Sequence, residues 1–441
     1  MIQLSVFDTV LSQKPDGTIA PGIAKSWRYN TDRTQLTLDI RDGGKFSNGE
    51  VVDAAAVAKS LEGTRKGPTT STDFPTVTSI KAPDQHTVVM TLSTPDAALV
   101  PRLSGIDGAV AAPTTIGAPQ AATKPVGSGP YLLNLEKSQT GSKYVLDKNK
   151  GYWDSKDYPF DTIEFSIISD PTAAFNGLRS GQLDFAQITA DQAKQLPTSQ
   201  FVTGVDNPTT MGTIWIADRE GKVQPALRDV RVRQAINMAF DRKSIEKISP
   251  GSLAGLDQVF NPRGGAYIKG LEGRYPYDVQ RARQLMAAAG YANGFTVTMP
   301  SNVATQPMEP VITQSLADIG IKVTWEPVAL SEIVTKLLSK QYPMFYFPDL
   351  WTSDPQDAQP IMNGAFNPFG VMPAELKSLL SAANASDKPD AFAPVNRYLI
   401  ENAWNAPLKY DTFHWAHKKS ITYTPPATYR DAVAPSVWGK A

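Results

Sequence analysis

The sequence contains no cysteine among its 441 residues. This absence excludes a disulfide framework and a thiolate metal site. No excess of one charge is present either, because 43 Lys and Arg residues balance 43 Asp and Glu residues. A neutral chain has no overall field that would attract nucleic acid or an anionic membrane. No run approaches the ~18 apolar residues of a membrane span, and Met1 is not followed by the basic start and apolar core of a signal peptide.

Familiar enzyme motifs are missing as well. The chain has no cysteine nucleophile, no Gly-x-Ser-x-Gly turn, no Walker loop and no zinc-site spacing. His414 and His417 lie three residues apart, but a strand there would point them to opposite faces, so we expect no metal site. Carboxylates are abundant, which leaves a hydrolase acting on a peptide or glycan as an alternative. We expect a protein that is not an enzyme and holds no cofactor.

The chain does have a glycine-proline turn at 125–131, which runs into strand-forming residues at 132–136. A glycine loop that binds phosphate opens a helix, because unpaired backbone N–H groups point at the anion there. Pro130 lacks an N–H group and a strand follows it. The turn therefore predicts closely positioned backbone and no nucleotide site.

Local patterns predict alternating strands and helices. A helix is expected at 171–180, because Asp170 can cap it, a proline starts it and Gly181 follows it. Further helices are expected at 51–62, 95–103, 228–240, 278–289, 309–319 and 331–339. Strands are expected at 36–40, 77–82, 87–92, 129–136, 143–148, 162–168, 183–188, 296–299, 322–327 and 344–347. This order favours an α/β fold with mixed sheets.

The length of the chain exceeds what one hydrophobic core supports, so two or more domains are expected. The strand and helix layout predicts two α/β lobes, with the chain crossing between them near 207–215 and again near 406–413. Two crossing strands form a hinge. A ligand buried between the lobes would stabilise the closed form by contacting both of them.

Several segments, taken in order and spacing, carry a family resemblance: 21–27, 40–49, 125–136, 143–153, 160–165, 177–185 and 228–242. They resemble the solute-binding proteins of ABC importers, in the family of the dipeptide-, oligopeptide- and nickel-binding proteins. The resemblance implies the large class of the two-lobe periplasmic-binding-protein fold. Lobe I is then expected at 1–210 with the returning tail 413–441, and lobe II at 211–412.

The same resemblance implies a monomeric receptor that captures a peptide or another solute bearing an amino group and hands it to a membrane ABC permease. A receptor for an opine-like conjugate, an oligosaccharide or a metal chelate is the alternative. The implied location is the periplasm or, for a lipoprotein, the cell surface. Family members usually carry a signal peptide and a first strand ahead of the segment that matches 4–27, so we expect a truncated chain.

The segment 349–357 contains three aspartates and a tryptophan. From the residues alone, a surface turn and a functional loop are equally good interpretations. In peptide-binding relatives, a tryptophan followed three residues later by an aspartate marks the loop whose carboxylate receives the peptide's α-ammonium, and Trp351 and Asp354 match that spacing. After this aspartate, relatives tend to show an acidic residue directly before proline, whereas Asp354 is followed here by Pro355, Gln356, Asp357 and Ala358. This departure leaves a non-peptide ligand open.

Other residues are weaker candidates for the ligand site. Aromatic rings bury a large area and offer a polar group, which suits ligand stacking, although most tryptophans of an α/β protein lie in its core. Among the aromatic residues near the expected hinge and cleft we select Trp404, Trp215 and Tyr131. Asn363 and Phe366 lie just after the Trp351 segment and complete the candidate set, with ordinary loop residues as the alternative interpretation.

Overall fold

The computed structural model describes residues 2–67, 74–121, 123–248, 252–253, 258–362, 364–426 and 435–441. The chain divides into two compact units. Unit 1 comprises Met1–Asn207 and His414–Ala441, and unit 2 comprises Pro208–Phe413. The chain therefore passes between the units twice, after Asn207 and after Phe413.

The described strands, in chain order, are β1 (Leu11–Gln13), β2 (Ile19–Pro21), β3 (Ala24–Tyr29), β4 (Gln35–Ile40), β5 (Val77–Lys81), β6 (Thr87–Leu92), β7 (Tyr131–Leu133), β8 (Lys143–Lys148), β9 (Thr162–Ser166), β10 (Phe185–Ile188), β11 (Phe201–Val205), β12 (Thr210–Trp215), β13 (Ser252–Leu253), β14 (Phe295–Ser301), β15 (Ile321–Pro327), β16 (Phe345–Leu350), β17 (Asn405–Asp411), β18 (His414–Lys418), β19 (Ile421–Tyr423) and β20 (Trp438–Lys440).

The described α-helices are α1 (Gln3–Val6), α2 (Ala54–Lys66), α3 (Leu99–Leu103), α4 (Pro171–Ser180), α5 (Ala190–Ala193), α6 (Val230–Met238), α7 (Arg242–Ile248), α8 (Val279–Ala288), α9 (Glu309–Ala317), α10 (Ile333–Leu338), α11 (Asp354–Asp357), α12 (Gln359–Met362), α13 (Ala374–Asn384) and α14 (Ala393–Glu401). Among the described residues, no helix has the length and apolar character needed to cross a membrane.

Both units combine sheets with helices. Unit 1 contains antiparallel sheets in the orders β3-β4-β6-β5, β7-β8-β9 and β10-β18-β11, together with the pairs β1-β2 and β19-β20. Unit 2 contains an antiparallel sheet in the order β13-β17-β12-β16 and a parallel pair, β14-β15, with α9 between the two strands in sequence. The predicted α/β class with mixed sheets is confirmed.

Helix ends follow the capping chemistry of the sequence. The Asp170 carboxylate accepts hydrogen bonds from the backbone N–H groups of Thr172 and Ala173, and Gly181 ends α4 with a φ of 83°. That left-handed backbone favours glycine. The predicted helix at 171–180 is confirmed.

Three predicted elements differ from the structure. The helix expected at 95–103 begins only at Leu99, because the buried Asp96 carboxylate accepts hydrogen bonds from the Ala98 N–H and the Thr76 hydroxyl and holds a turn. The helix expected at 331–339 is a 3-10 turn, Leu330–Glu332, followed by α10. The end of the segment 349–357, read as a turn or loop, is instead the single helical turn α11.

The glycine-proline turn brings two backbone segments together. A Cβ atom on Gly127 or Gly129 would collide with the Val6 carbonyl group, and the Gly129 N–H donates to the Val6 oxygen at 2.9 Å. Glycine is needed because the two chains touch there. The turn thus fastens the amino-terminal segment to the strand β7, as expected of a motif that positions backbone.

Each unit has its own apolar core. In unit 1, alternate residues of β4 and β6 point inward, and Leu36, Leu38, Val88 and Met90 are fully buried. The core of unit 2 lies between its sheets and the helices α6, α8 and α9, and its most buried members include Ile214, Ile236, Met286, Ile312 and Ala406. Burying each large apolar side chain contributes about 1.5–3 kcal/mol.

Candidate functional site

Trp351 is a packed anchor at the end of strand β16. Its side chain is only 2% exposed, and its indole N–H donates to the Val259 oxygen at 2.8 Å. The ring stacks on Tyr410, with 4.5 Å between the ring centroids and 22° between the planes. The backbone N–H of Trp351 donates to the Thr209 oxygen at 2.9 Å. These contacts fix the position at which the chain enters α11.

Asp354, the first residue of α11, has a buried carboxylate, and only one of its two oxygens accepts a hydrogen bond from a described residue. Oδ2 accepts a hydrogen bond from the Ala266 N–H at 2.8 Å. Oδ1 is buried, and no donor among the described residues meets it. A Cβ atom on Gly264 would collide with this carboxylate, so the glycine allows the loop to close over it. Burial raises the pKa of Asp354 to about 6, although the N–H groups of Ala266 and Gly265 oppose the shift.

Asp357, at the other end of the same helical turn, has a similar environment. Its Oδ1 accepts hydrogen bonds from the Thr352 N–H at 2.9 Å and the Thr352 hydroxyl at 3.1 Å. Its Oδ2 is buried and meets no donor in the described part of the chain. Burial raises the pKa of Asp357 well above its ordinary value, and the negative charges of Asp349 and Asp354 raise it further. The turn therefore places two buried carboxyl groups close together, and no described cation pairs with either of them.

Trp215 and Phe366 meet in an aromatic cluster of unit 2. Trp215 ends strand β12, is 1% exposed and donates its indole N–H to the Phe347 oxygen at 3.3 Å. Its ring centroid lies 4.5 Å from that of Phe366. The Phe366 ring also contacts the rings of Phe345 and Phe347, with centroid distances of 6.2 and 6.0 Å. Asn363, predicted to be close by, lies outside the described residues.

The remaining two candidates, Trp404 and Tyr131, are buried side chains. The Trp404 side chain is 3% exposed and is covered by the Arg219 guanidinium, whose Cζ lies 3.9 Å from the ring centroid. Tyr131 belongs to unit 1, is fully buried and donates its hydroxyl to the Phe160 oxygen at 3.0 Å. Burial raises the pKa of Tyr131 to about 12. The ligand-binding roles of all seven candidates stay predictions.

The histidine pair lies on a strand. His414 and His417 are both in β18, where residues three apart point to opposite faces. His417 is 4% exposed and stacks on Trp415, with 5.4 Å between the ring centroids. In the described ranges, no three His, Cys, Asp or Glu side chains group in a way that could hold a metal ion.

Sequence reasoning missed two features around these residues. The loop at Gly264 and Ala266 contacts the Asp354 carboxylate from 88 positions away in the chain, and its only sequence signal is the glycine pair at 264–265. Arg219 and Trp404, which contact each other, are also far apart in the sequence. A single arginine in a loop gives no sign that it will be buried.

Comparison with known proteins identifies the family. Residues 18–372 match the family described as bacterial extracellular solute-binding proteins, family 5 Middle. The glutathione-binding protein GsiB of Shigella flexneri is 27% identical over 310 residues, which cover 68% of this chain and 59% of that protein. The chain thus spans less than two thirds of this curated relative's length.

Solved structures share the fold over nearly the whole chain. The binding protein AgaA of A. tumefaciens R10, in complex with agropinic acid, has a TM-score of 0.83 and 21% identity, covering 100% of this chain and 94% of its own. DppA of Helicobacter pylori, in complex with the peptide STSA, has a TM-score of 0.80 and 21% identity, covering 99% and 93%. The predicted periplasmic-binding-protein fold and the family resemblance are confirmed, and the chain belongs to the bacterial extracellular solute-binding proteins of family 5.

Proposed function

We propose that this protein is the solute receptor of an ABC importer and that its solute carries an amino group, as a peptide does. Family membership supports the receptor role. The proposed ligand class rests on the Asp354 carboxylate, which is buried and whose Oδ1 has no partner among the described residues. It lies three residues after Trp351, at the position that the sequence resemblance assigns to an ammonium-binding aspartate.

The physical argument rests on the cost of unpaired charge. A buried carboxylate is unfavourable unless hydrogen bonds or a cation offset its lost hydration. The Ala266 N–H donates to Asp354 Oδ2 and the Gly265 N–H also lowers the Asp354 pKa, but neither supplies a cation, and Asp357 adds a second buried carboxyl group one helical turn away. An ammonium group next to Oδ1 would offset the charge of Asp354. A neutral or anionic group would not.

The relatives support amino-bearing solutes and also supply the alternative. One is named for binding glutathione, and DppA of Helicobacter pylori is in complex with a peptide. AgaA is in complex with agropinic acid, which favours an opine-like conjugate as the second candidate. Oligosaccharides and metal chelates have no comparable support from the Asp354 environment.

The wider proposal follows the same reasoning. We infer that the protein acts outside the cytoplasm, in the periplasm or as a lipoprotein on the cell surface, and works as a monomer with a membrane ABC permease. The two lobes predicted from the sequence, 1–210 with 413–441 and 211–412, would bind the solute without chemical change. Trp351 would hold Asp354 in place, because its own hydrogen bond and stacking fix the entry to α11.

A panel of probes tests the proposal by thermal unfolding and mass spectrometry. The probes are the peptide Ser-Thr-Ser-Ala, its N-acetylated form, glutathione and agropinic acid. A ligand that binds only the folded protein raises the free energy of unfolding by RT ln(1 + [L]/Kd) and therefore raises the melting temperature. We expect the free peptide or glutathione to raise it, the N-acetylated peptide to have no effect, and the bound peptide to be recovered intact. Stabilisation by agropinic acid alone would favour the second candidate, and recovery of cleaved peptide would favour a hydrolase.

A further inference from the structure

Among the buried hydrogen-bond donors of unit 2 that have no acceptor in the described part of the chain, three belong to residues that contact one another. They are Nη1 of Arg219, Nε1 of Trp404 and Nδ2 of Asn405, and none has a partner among the described residues. The three residues are 6%, 3% and 5% exposed. They are also in mutual contact, because the Arg219 guanidinium covers the Trp404 ring and its Nη2 donates to Asn405 Oδ1 at 3.0 Å.

The Arg219 charge has no counterion in the described ranges. Its Nε donates to the Trp404 backbone oxygen at 3.1 Å and its Nη2 donates to an amide oxygen, so both acceptors are neutral. The neighbouring carboxylate, Asp218, accepts instead from the backbone N–H groups of residues 222–224, at 2.6 to 2.8 Å. One edge of the guanidinium is thus satisfied, and the edge that carries Nη1 is not.

A second buried arginine adds to the positive charge. Arg233 is 7% exposed and donates to the backbone oxygens of Leu227, Arg228 and Asn402. Burial and the charge of Arg233 hold the pKa of Arg219 well below its ordinary value, and Tyr398 opposes this shift. Arginine nevertheless stays protonated in proteins. The Asp229 carboxylate offsets part of the Arg233 charge, but no described carboxylate does so for Arg219, whose buried charge is unfavourable unless an anion lies close to it.

We propose that unit 2 binds a small inorganic anion of the halide class, such as chloride, at Arg219, Trp404 and Asn405. All the unpaired groups are donors, which suits an anion. A water molecule could accept their hydrogen bonds but would leave the charge of Arg219 uncompensated. The burial of all three side chains excludes a large solute. The proposed anion site, to which Trp404 belongs, uses residues other than those of the proposed solute site at Asp354.

Thermal unfolding of the full chain tests the proposal. Sodium gluconate is replaced stepwise by sodium chloride or sodium bromide at constant ionic strength, with no solute present. The wild-type melting temperature should rise with halide concentration, because the halide binds the folded protein. Trp404→Phe keeps the ring and removes one donor to the anion, and such a charge-assisted bond typically accounts for an affinity change of at least about tenfold. The halide concentration needed for half the effect should rise accordingly.

Trp325→Phe is the matched control. Its indole N–H donates to the Thr313 hydroxyl at 2.9 Å in the same unit, so this variant loses a paired N–H and should keep the full halide response. Arg219→Gln should abolish the response if it folds, and Trp404→Phe keeps the test decisive if it does not.

Crystals grown in bromide locate the ion directly by anomalous scattering. A peak within hydrogen-bond distance of both Arg219 Nη1 and Trp404 Nε1 would support the proposal. It would be overturned by a melting temperature that does not change with halide, by equal responses of wild type and Trp404→Phe, or by bromide peaks confined to the protein surface.

Discussion

Replacing Asp354 by Asn removes the negative charge and keeps the shape of the side chain. The Asn oxygen can still accept the hydrogen bond from the Ala266 N–H, which Asp354 Oδ2 accepts at 2.8 Å. What is lost is the charged oxygen that meets no donor in the described structure. The variant therefore separates a role in binding an ammonium group from a role in holding the loop around Gly264.

The expected effect on affinity is large. Removing one partner of a buried ion pair leaves the other charge uncompensated and costs about 3–5 kcal/mol. At about 1.4 kcal/mol per tenfold change, the dissociation constant for an amino-bearing solute should rise at least about a hundredfold.

The unbound protein should respond in the opposite direction. A carboxyl pKa raised from 3.8 to about 6 corresponds to roughly 3 kcal/mol of destabilisation of the ionised folded state. Asn removes this cost but buries an amide N–H group without an acceptor, which costs about 1–3 kcal/mol. At pH 7.5 we expect the free energy of unfolding of the variant to equal or exceed that of wild type by about 1 kcal/mol.

The pH dependence has a definite sign. Between pH 3.8 and about 6 the folded Asp354 holds a proton that the unfolded chain has released, so its contribution to stability is present at low pH and is lost as pH rises through about 6. From pH 7.5 to pH 5, this group should add about 1.4 kcal/mol to the wild-type free energy of unfolding. Asp354→Asn should lack that increment.

Calorimetric titration and urea unfolding at pH 5 and 7.5 measure both effects. Asp349→Asn and Asp357→Asn are the controls, because they lie in the same segment and the turn interpretation treats the three carboxylates alike. Small and equal losses of affinity in all three variants would refute the assignment of the ammonium group to Asp354. A wild-type stability difference between the two pH values that persists unchanged in Asp354→Asn would refute its raised pKa.

Two further predictions concern unit 1. Gly129→Ala should destabilise the protein by more than ~1 kcal/mol in urea unfolding, because its Cβ would collide with the Val6 carbonyl, whereas Gly270→Ala meets nothing within 4 Å and should be close to neutral. Equal effects of the two changes would contradict the close backbone contact. Tyr423→Phe removes the hydroxyl that donates to the buried Asp206 carboxylate at 3.1 Å, a carboxyl whose pKa burial raises to about 6. It should lower the free energy of unfolding by about 1–3 kcal/mol at pH 7.5 and by less at pH 5, where Asp206 is protonated in the folded state, and an equal loss at both pH values would contradict this.

Much of the fold could be predicted from local chemistry. Capping by Asp170 and the glycine after α4 are encoded within a few residues, so that helix was predictable to its ends. The predicted start of the helix at 95–103 was wrong, because the buried Asp96 carboxylate accepts a hydrogen bond from the Thr76 hydroxyl, 20 positions away. A sequence pattern does not contain such a contact.

The candidate site shows the same limit. Trp351 and Asp354 were selected by their spacing, and the structure adds that one is packed on Tyr410 and the other lies under the loop at Gly264. Trp404 was selected as a candidate for stacking on the ligand, and the structure adds that its ring is buried beneath Arg219. The positions of aromatic residues in the sequence do not show which rings are buried, because the side chain that covers a ring, such as Arg219 over Trp404, comes from a distant part of the chain.

Proton release on binding tests the central claim most directly. The solute that gives the largest stabilisation in the panel is titrated calorimetrically at pH 6, in two buffers of different ionisation enthalpy. Asp354 is about half protonated there, so pairing with an ammonium group should release up to about half a proton per solute bound from this carboxyl. Asp354→Asn should release correspondingly less. Equal proton release by wild type and Asp354→Asn would contradict the claim that this carboxylate binds the amino group of the solute.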